Sequence, residues 1–197
     1  MIKSNDYNKY EYVDPYNSKL DHWMRVEHLG RYLYVKDAIE TDSVVLDAGC
    51  ANGYGSKILS DNANVLVAVD KNSDYIDLAK KNNNRSNIKY KVMDLDKDKL
   101  DYLYDYIVCL ETLEHVSNPT YVLDNFYSSL KNDGILFISV PNSKFEEVND
   151  GKNINKYHLH TFEYDELVKT FKQSGFRVLR VMGQSTVNKQ YNKKIND

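Results

Sequence analysis

The sequence is short of cysteine: its 197 residues hold two, Cys50 and Cys109. Each sits inside an apolar segment and neither belongs to a CxxC pair. That excludes a disulfide framework and a zinc ribbon, and a reduced, cytoplasmic protein is the expectation. No apolar run approaches the roughly 18 residues that span a bilayer. The opening stretch, Met1 to Tyr7, lacks the apolar segment of a signal peptide. Basic charge is short as well, since 26 Lys and Arg face 29 Asp and Glu for a net charge of −3. A chain without a global positive field is not built for non-specific binding to nucleic acid or a membrane surface. Internal repeats and long linkers are absent too. What is present is a globular composition, 42% hydrophobic and 28% charged, in a length that fits one domain with one sizeable core.

Residues 1–18 are polar and Tyr-rich, with Asp14-Pro15 as a turn signal, and read as a tail or lid. From Leu20 to Ile39 the apolar positions follow helical spacing and predict one long or two short helices. The pattern then changes. Short continuous apolar runs at Ser43–Asp47, Val65–Val69, Ile88–Val92, Tyr106–Leu110 and Ile135–Val140 predict strands buried on both faces. Helical stretches at Tyr54–Leu59, Tyr75–Lys81 and Tyr121–Leu130 alternate with them. A helix over Tyr164–Ser174 leads through Gly175 to a last strand, Phe176–Val181. Such alternation predicts an α/β fold, doubly wound around a mainly parallel sheet.

The stretch Val44 to Gly55 carries the most information. A buried strand delivers Asp47 and then a turn with glycines at 49, 53 and 55 that opens a helix. Glycine lets the backbone approach a ligand closely, and a helix N-terminus offers N–H groups to an anion. About twenty residues later the second strand ends in Asp70, where a carboxylate can accept both hydroxyls of a ribose. The glycine spacing is G-x-x-x-G-x-G, which fails the dinucleotide pattern G-x-G-x-x-G. Asp47 is also awkward beside a pyrophosphate but welcome beside an ammonium. A ligand with an amino-acid end and a ribose end satisfies both features.

Asp47-Ala-Gly-Cys-Ala-Asn-Gly53 resembles the D-x-G-C-G-x-G loop of class I S-adenosylmethionine (SAM) methyltransferases, and the likeness extends over about residues 27–181. The resemblance implies a seven-stranded sheet, SAM as cofactor and S-adenosylhomocysteine as product. It implies cofactor roles for Asp47, Gly49, Cys50, Ala51, Gly53, Asp70 and Lys71. Ala51 stands where the family usually has Gly, which suits a backbone with negative φ. Asp94 and Leu95, after the third strand, take the adenine end by the same resemblance. Leu110 and Glu111 face the transferring methyl. Leu130 to Asn142 resembles the family's fifth strand, and His158 to Phe162 fits an H-x-x-x-F pattern of small-molecule members.

Methyl transfer is an in-line displacement that depends on alignment, and an oxygen nucleophile needs a base. The candidates are His158 first, then His115 and Glu111, with no metal. A competing set is Glu111, Glu114, His115 and His160. The first three share one face if the segment is helical, and all four suit Mg²⁺ or Mn²⁺. This set resembles metal-assisted RNA 2′-O-methyltransferases, although the absence of a basic strip argues against RNA. The chain divides at residue 40 into a tail with lid helices, 1–40, and a SAM-binding domain, 41–197. Tyr7, Tyr10, Tyr12 and Tyr16 could stack on a ligand, and residues 143–157 form a candidate substrate loop. The expected activity is methyl transfer to a hydroxyl of a small molecule such as a sugar, nucleotide-sugar or other metabolite. The alternatives are the RNA enzyme and a non-catalytic SAM-binding module. A nicotinamide enzyme fails on its glycine spacing.

Overall fold

A strand that is apolar along its whole length needs cover on both faces, and the central strands receive it. Val45, Leu46, Val67, Ala68, Ile107 and Val108 are all fully buried. The computed structural model describes residues 13–20, 22–143, 148–149, 152–153 and 155–184. In chain order the elements are α1 (His22–Ala38), β1 (Ser43–Ala48), α2 (Tyr54–Leu59), β2 (Ala63–Asp70), α3 (Ser73–Asn82), β3 (Ile88–Val92) and β4 (Tyr104–Leu110). A single 3-10 turn (Leu113–His115) follows, then α4 (Pro119–Ser129), β5 (Leu130–Ser139), the short pair β6 (Val148–Asn149) and β7 (Lys152–Asn153), and α5 (Tyr164–Gln173).

The main sheet has the order β3-β2-β1-β4-β5. All of its pairings are parallel. Strand order reverses between β1 and β4, so a crevice opens there at the carboxyl edge. Core residues lie on both sheet faces. One cluster joins Tyr32 and Val35 of α1, and Ile39 just after it, to Val45, Leu66 and Val108. The other joins Leu46, Val67 and Ile107 to Val122, Leu123 and Phe126 of α4.

Helix starts are written locally. The Asn72 side chain accepts from the N–H groups of Asp74 and Tyr75, and Asp74 occupies the first turn of α3. The Asn118 side chain accepts from Tyr121 N–H, with Pro119 in the first turn of α4. Asparagine brackets secure the amino edge of the sheet. Asn62 donates to the carbonyls of Lys36 and Ile39, and Asn87 to those of Ser60 and Ala63. Asp61 pairs with both Lys36 and Arg85. Polar connections therefore close this edge and leave the opposite one for ligands.

Two differences from the sequence reading stand out. Of the one long or two short helices expected near the N-terminus, the structure has the one long helix, α1, so the differences lie in the sheet. The main sheet has five strands among the described residues rather than seven, and Phe176–Val181 is not a strand. This segment runs beside α1 instead. Arg180 donates to the Tyr34 hydroxyl at 3.3 Å, and Gln184 donates to the Glu27 carbonyl at 2.9 Å. Side-chain bonds take the place of a backbone ladder, and Leu179 and Val181 stay exposed. Alternation of apolar and charged residues reads as a strand only if a neighbouring strand supplies the ladder.

The packing of α1 on α2 generates a test. Gly55 lies under the Tyr32 ring, and a Cβ at that position would overlap three ring carbons. Gly55→Ala is expected to lower stability by about 1–3 kcal/mol, the usual cost of overpacking. A urea midpoint equal to that of the wild type would show that Tyr32 does not hold α1 against α2.

Candidate active site

The carboxyl ends of four adjacent strands meet in one cleft. Gly49 and Ala51 after β1, Asp70 and Lys71 at the end of β2, Met93 to Asp96 after β3, and Glu111, Thr112 and His115 after β4 all line it. Tyr75 of α3 and Val116 complete the wall.

The glycine loop is shaped by backbone demands. Gly49 has φ +83°, and a Cβ there would run into the Thr112 side chain. Gly53 has φ +78°, but its Cβ would meet Tyr90 and Ala79. Gly53 therefore serves the packing of α2 and is not part of the cleft wall. Asp70 is set by the same loop. Its Oδ2 accepts from Ala51 N–H and its Oδ1 from Asn72 N–H, both at 2.9 Å. A carboxylate held by two amides at a strand end is preorganised, and a carboxylate oxygen can accept more than one donor.

Asp47 is fully buried and sits behind the cleft rather than in its wall. The Ser56 hydroxyl donates to it at 2.6 Å and the Tyr32 hydroxyl at 3.2 Å. Burial pushes its carboxyl up to about 6, against the opposing pull of these two hydrogen bonds. Cys50 is buried beside it, and burial raises its thiol pKa. Neither Cys50 nor Leu110 belongs to the cleft wall. Asp94 lines the cleft, but one oxygen also holds Lys97 at 2.5 Å and the other accepts from Asp96 N–H. Leu95 is buried against the same wall.

The histidines divide sharply. His115 is in the cleft wall. Its Nδ1 lies 2.8 Å from the Tyr157 carbonyl, which can only accept, so Nδ1 carries the proton. Nε2 then has a lone pair when the ring is neutral, and it lies 3.7 Å from the buried Glu114 carboxylate. His158 is outside the cleft wall. The Asn155 amide donates to its Nε2 at 2.9 Å, and its ring meets His115 edge-on at 5.0 Å.

The four residues of the predicted metal set do not assemble. Glu111 precedes the 3-10 turn and has φ +50°, so it shares no helical face with Glu114 and His115. Its Oε1 accepts from the Ser139 hydroxyl at 2.7 Å, and its Oε2 faces Arg31 at 3.5 Å. The ligand atoms that do converge, within 4.8 Å of one another, belong to Glu114, His115 and His158. His160 turns a buried Nε2 elsewhere, without a hydrogen-bond partner among the described residues.

Comparison with known proteins identifies the family and the fold. Residues 20–181 match the family model described as a methyltransferase domain. The chain belongs to this family. A ubiquinone biosynthesis O-methyltransferase of Coxiella burnetii is 34% identical over 105 residues, covering 52% of this chain and 45% of that protein. A malonyl-[acyl-carrier protein] O-methyltransferase of Acetivibrio thermocellus is 29% identical over 109 residues, covering 52% and 38%. The chain thus spans less than half the length of these curated relatives. A SAM-dependent methyltransferase from Mesorhizobium loti shares the fold, with TM-score 0.67, 16% identity and coverage of 82% and 87%.

Sequence reasoning gave no role in the methyltransferase domain to Arg31, Ser139, Thr112, Tyr75, Met93, Asp96 or Val116. Tyr75 carried a faint signal, since it lies on the first turn of the helix that follows Asp70. Arg31 lay in the segment read as a lid and Ser139 in the stretch that resembles the family's fifth strand, but α1 and β5 bring them to Glu111 only through tertiary packing. The expectation of a negative φ at Ala51 fails: φ is +45°. An alanine in this left-handed region costs on the order of 1–2 kcal/mol. The close N–H contact of Ala51 with Asp70 holds it there.

Asp47 sets a pH test. A carboxyl at about 6 when folded and about 3.9 when unfolded favours folding fully below about pH 4, and that contribution is lost as pH rises through about 6. Asp47→Asn can still accept from one hydroxyl and donate to the other. It is expected to exceed the wild type in unfolding free energy by about 2–3 kcal/mol at about pH 8, and by little at about pH 4. A gain of equal size at both values would contradict the shift.

Proposed function

We propose that this chain transfers the methyl group of SAM to a hydroxyl of a small-molecule acceptor. The observation that carries this reading is the single cleft that unites the Gly49–Ala51 loop, Asp70, Asp94–Leu95 and Glu111–His115. In it, Asp70 accepts from the ribose hydroxyls, and Leu95 and Tyr75 flank the adenine with Asp94 at its edge. Lys71 borders the ribose, while Gly49 and Ala51 let the methionine end pass close to the backbone. Asp47, with Tyr32 and Ser56, offers negative charge behind the ammonium. Arg31 has a buried Nη1 without a hydrogen-bond partner among the described residues, which suits the cofactor's carboxylate.

His115 is the base of this reading, ahead of His158. The Tyr157 carbonyl fixes its tautomer, and its Nε2 takes the acceptor proton as the oxygen attacks the methyl carbon. The C–S bond breaks with its electron pair left on sulfur, which gives S-adenosylhomocysteine. Glu114 lies close enough to stabilise the imidazolium. Names of the O-methyltransferase relatives support an oxygen acceptor. Residues 1–40 act as cover and 41–197 as the SAM-binding domain in this reading. Tyr16 of the cover meets Tyr54 edge-on at 6.4 Å. Tyr7, Tyr10 and Tyr12 lie outside the described residues, as does much of the 143–157 loop. Among the described residues no helix is long and apolar enough to cross a membrane.

A second reading rests on the convergence of Glu114, His115 and His158. Two imidazoles and one carboxylate suit a divalent transition metal better than Mg²⁺, which prefers oxygen. Such an ion would polarise the acceptor oxygen in place of a base.

The deciding experiment incubates the protein and methyl-labelled SAM with cell extract split into small-molecule, RNA and protein fractions, with and without EDTA. Label in the small-molecule fraction that survives EDTA is the expected result. Label lost with EDTA would favour the metal, and label in RNA would overturn the acceptor class. Independently, Asp70→Ala is expected to weaken SAM binding by about 1–3 kcal/mol, because two ribose hydroxyls lose their acceptor. Calorimetry showing unchanged affinity would reject the ribose assignment.

A further inference from the structure

The Arg31–Glu111 pair has features that a simple salt bridge does not explain. Glu111 is the first residue beyond β4 and is held in a left-handed conformation that only local bonding can maintain. Ser139 provides that bonding. Glu111 N–H donates to the Ser139 carbonyl at 3.0 Å and to its hydroxyl at 3.1 Å, and the same hydroxyl donates to Oε1. Backbone and one carboxylate oxygen are therefore fixed, while Oε2 holds Arg31 only at 3.5 Å. On the other side of the pair, Arg31 Nη1 is buried with no hydrogen-bond partner among the described residues. Half of a guanidinium fork is thus unused, and the half in use is loosely held.

The surroundings are crowded with negative charge. Glu27, one turn before Arg31, has its carboxyl pKa raised, first by burial and further by Glu111, while Arg31 pulls it down. A third carboxylate arriving at one guanidinium cannot be added without loss. Glu111 is the member that lines the cleft and has a second anchor in Ser139. It is the one that can give way.

We propose that Glu111 competes with the cofactor's carboxylate for Arg31, so that cofactor binding exchanges one ion pair for another and releases Glu111 Oε2 into the cleft. The exchange makes no covalent change and moves no proton. It rests on the SAM reading above. Before the cofactor arrives, Glu111 is neutralised by Arg31. Afterwards, a carboxylate kept in place by Ser139 faces the cleft. The acceptor side is therefore completed only when the cofactor is bound, which imposes an order of binding.

The test compares two ligands of the intact protein by calorimetry. S-Adenosylhomocysteine carries the amino-acid end, and 5′-methylthioadenosine has the same nucleoside and thioether without it. Glu111→Gln is expected to bind S-adenosylhomocysteine about 3- to 10-fold more tightly than the wild type, the size of a modest ion pair removed from competition. Methylthioadenosine affinity should not change. Arg31→Gln should weaken S-adenosylhomocysteine by about tenfold or more and leave methylthioadenosine alone. In the double variant the gain from Glu111→Gln should vanish. A Glu111→Gln protein that binds S-adenosylhomocysteine equally or more weakly would overturn the proposal, since Glu111 would then be a bystander or a ligand of the ammonium. So would a gain that persists without Arg31. A wild-type protein that binds neither ligand would instead remove the SAM reading, and the proposal with it. Thermal unfolding of each variant separates lost affinity from lost fold.

Discussion

The structure turns on a carboxylate with no access to water. Asp47 lies at the end of the central strand, is covered by α1 and α2, and is satisfied by one hydroxyl from each helix. An ionised carboxyl in such a place is costly unless it is hydrogen-bonded, and even then its proton affinity rises. Because Tyr32 is one of its two donors, the docking of α1 and the charge state of the sheet's centre are one problem. The same side chain sits on Gly55, where no Cβ could fit. A ligand ammonium near Asp47 would relieve the cost of its charge. On the proposed cofactor reading, the ammonium of the bound ligand would supply that relief.

Much of the frame was legible because buried parallel strands have a simple signature. Ile88–Val92 and Tyr54–Leu59 fall where the sequence places them, and the other central strands and helices differ by a few residues at their ends. Covered on both faces, such strands need no alternation, and a short apolar run between two helices has room to form little else. Legibility failed where an element depends on a distant partner. Phe176–Val181 has the alternation of a strand, yet Phe176 packs on Tyr127 and Phe171 while Arg180 reaches the Tyr34 hydroxyl of α1. The backbone at Ala51 and Glu111 was equally hidden. Nothing in a sequence says that an alanine or a glutamate will take positive φ, because the cause lies in Asp70 and Ser139 respectively.

The site was read unevenly for the same reason. Asp70, Asp94 and the glycine loop follow strand ends directly, so their meeting is a consequence of topology. The histidines lie in loops, and spacing could not order them. His158 matched a sequence pattern, but the loop that carries it hands its backbone carbonyl at Tyr157 to His115 and leaves His158 to Asn155. Likewise, i and i+4 arithmetic placed Glu111 with His115, whereas the turn begins two residues too late for that.

The two halves of the cleft are tied together by short polar bridges. The Glu114 carbonyl accepts from the N–H groups of both Leu159 and His160, so the loop after Asn155 is fastened to the turn that carries His115. Asp96, from the β3 side, accepts from Ser117 and Asn118 N–H at the start of α4. Hydrogen bonds therefore join the Asp94–Asp96 side of the cleft to α4, and the His115 turn to the loop beyond Asn155. Beside the apolar packing of α1 on the sheet, the polar contact of Arg31 with Glu111 is of another kind, an ion pair at 3.5 Å next to a guanidinium nitrogen without a hydrogen-bond partner among the described residues. If the proposed exchange operates, Arg31 and Glu111 are where binding of one substrate is felt by the other.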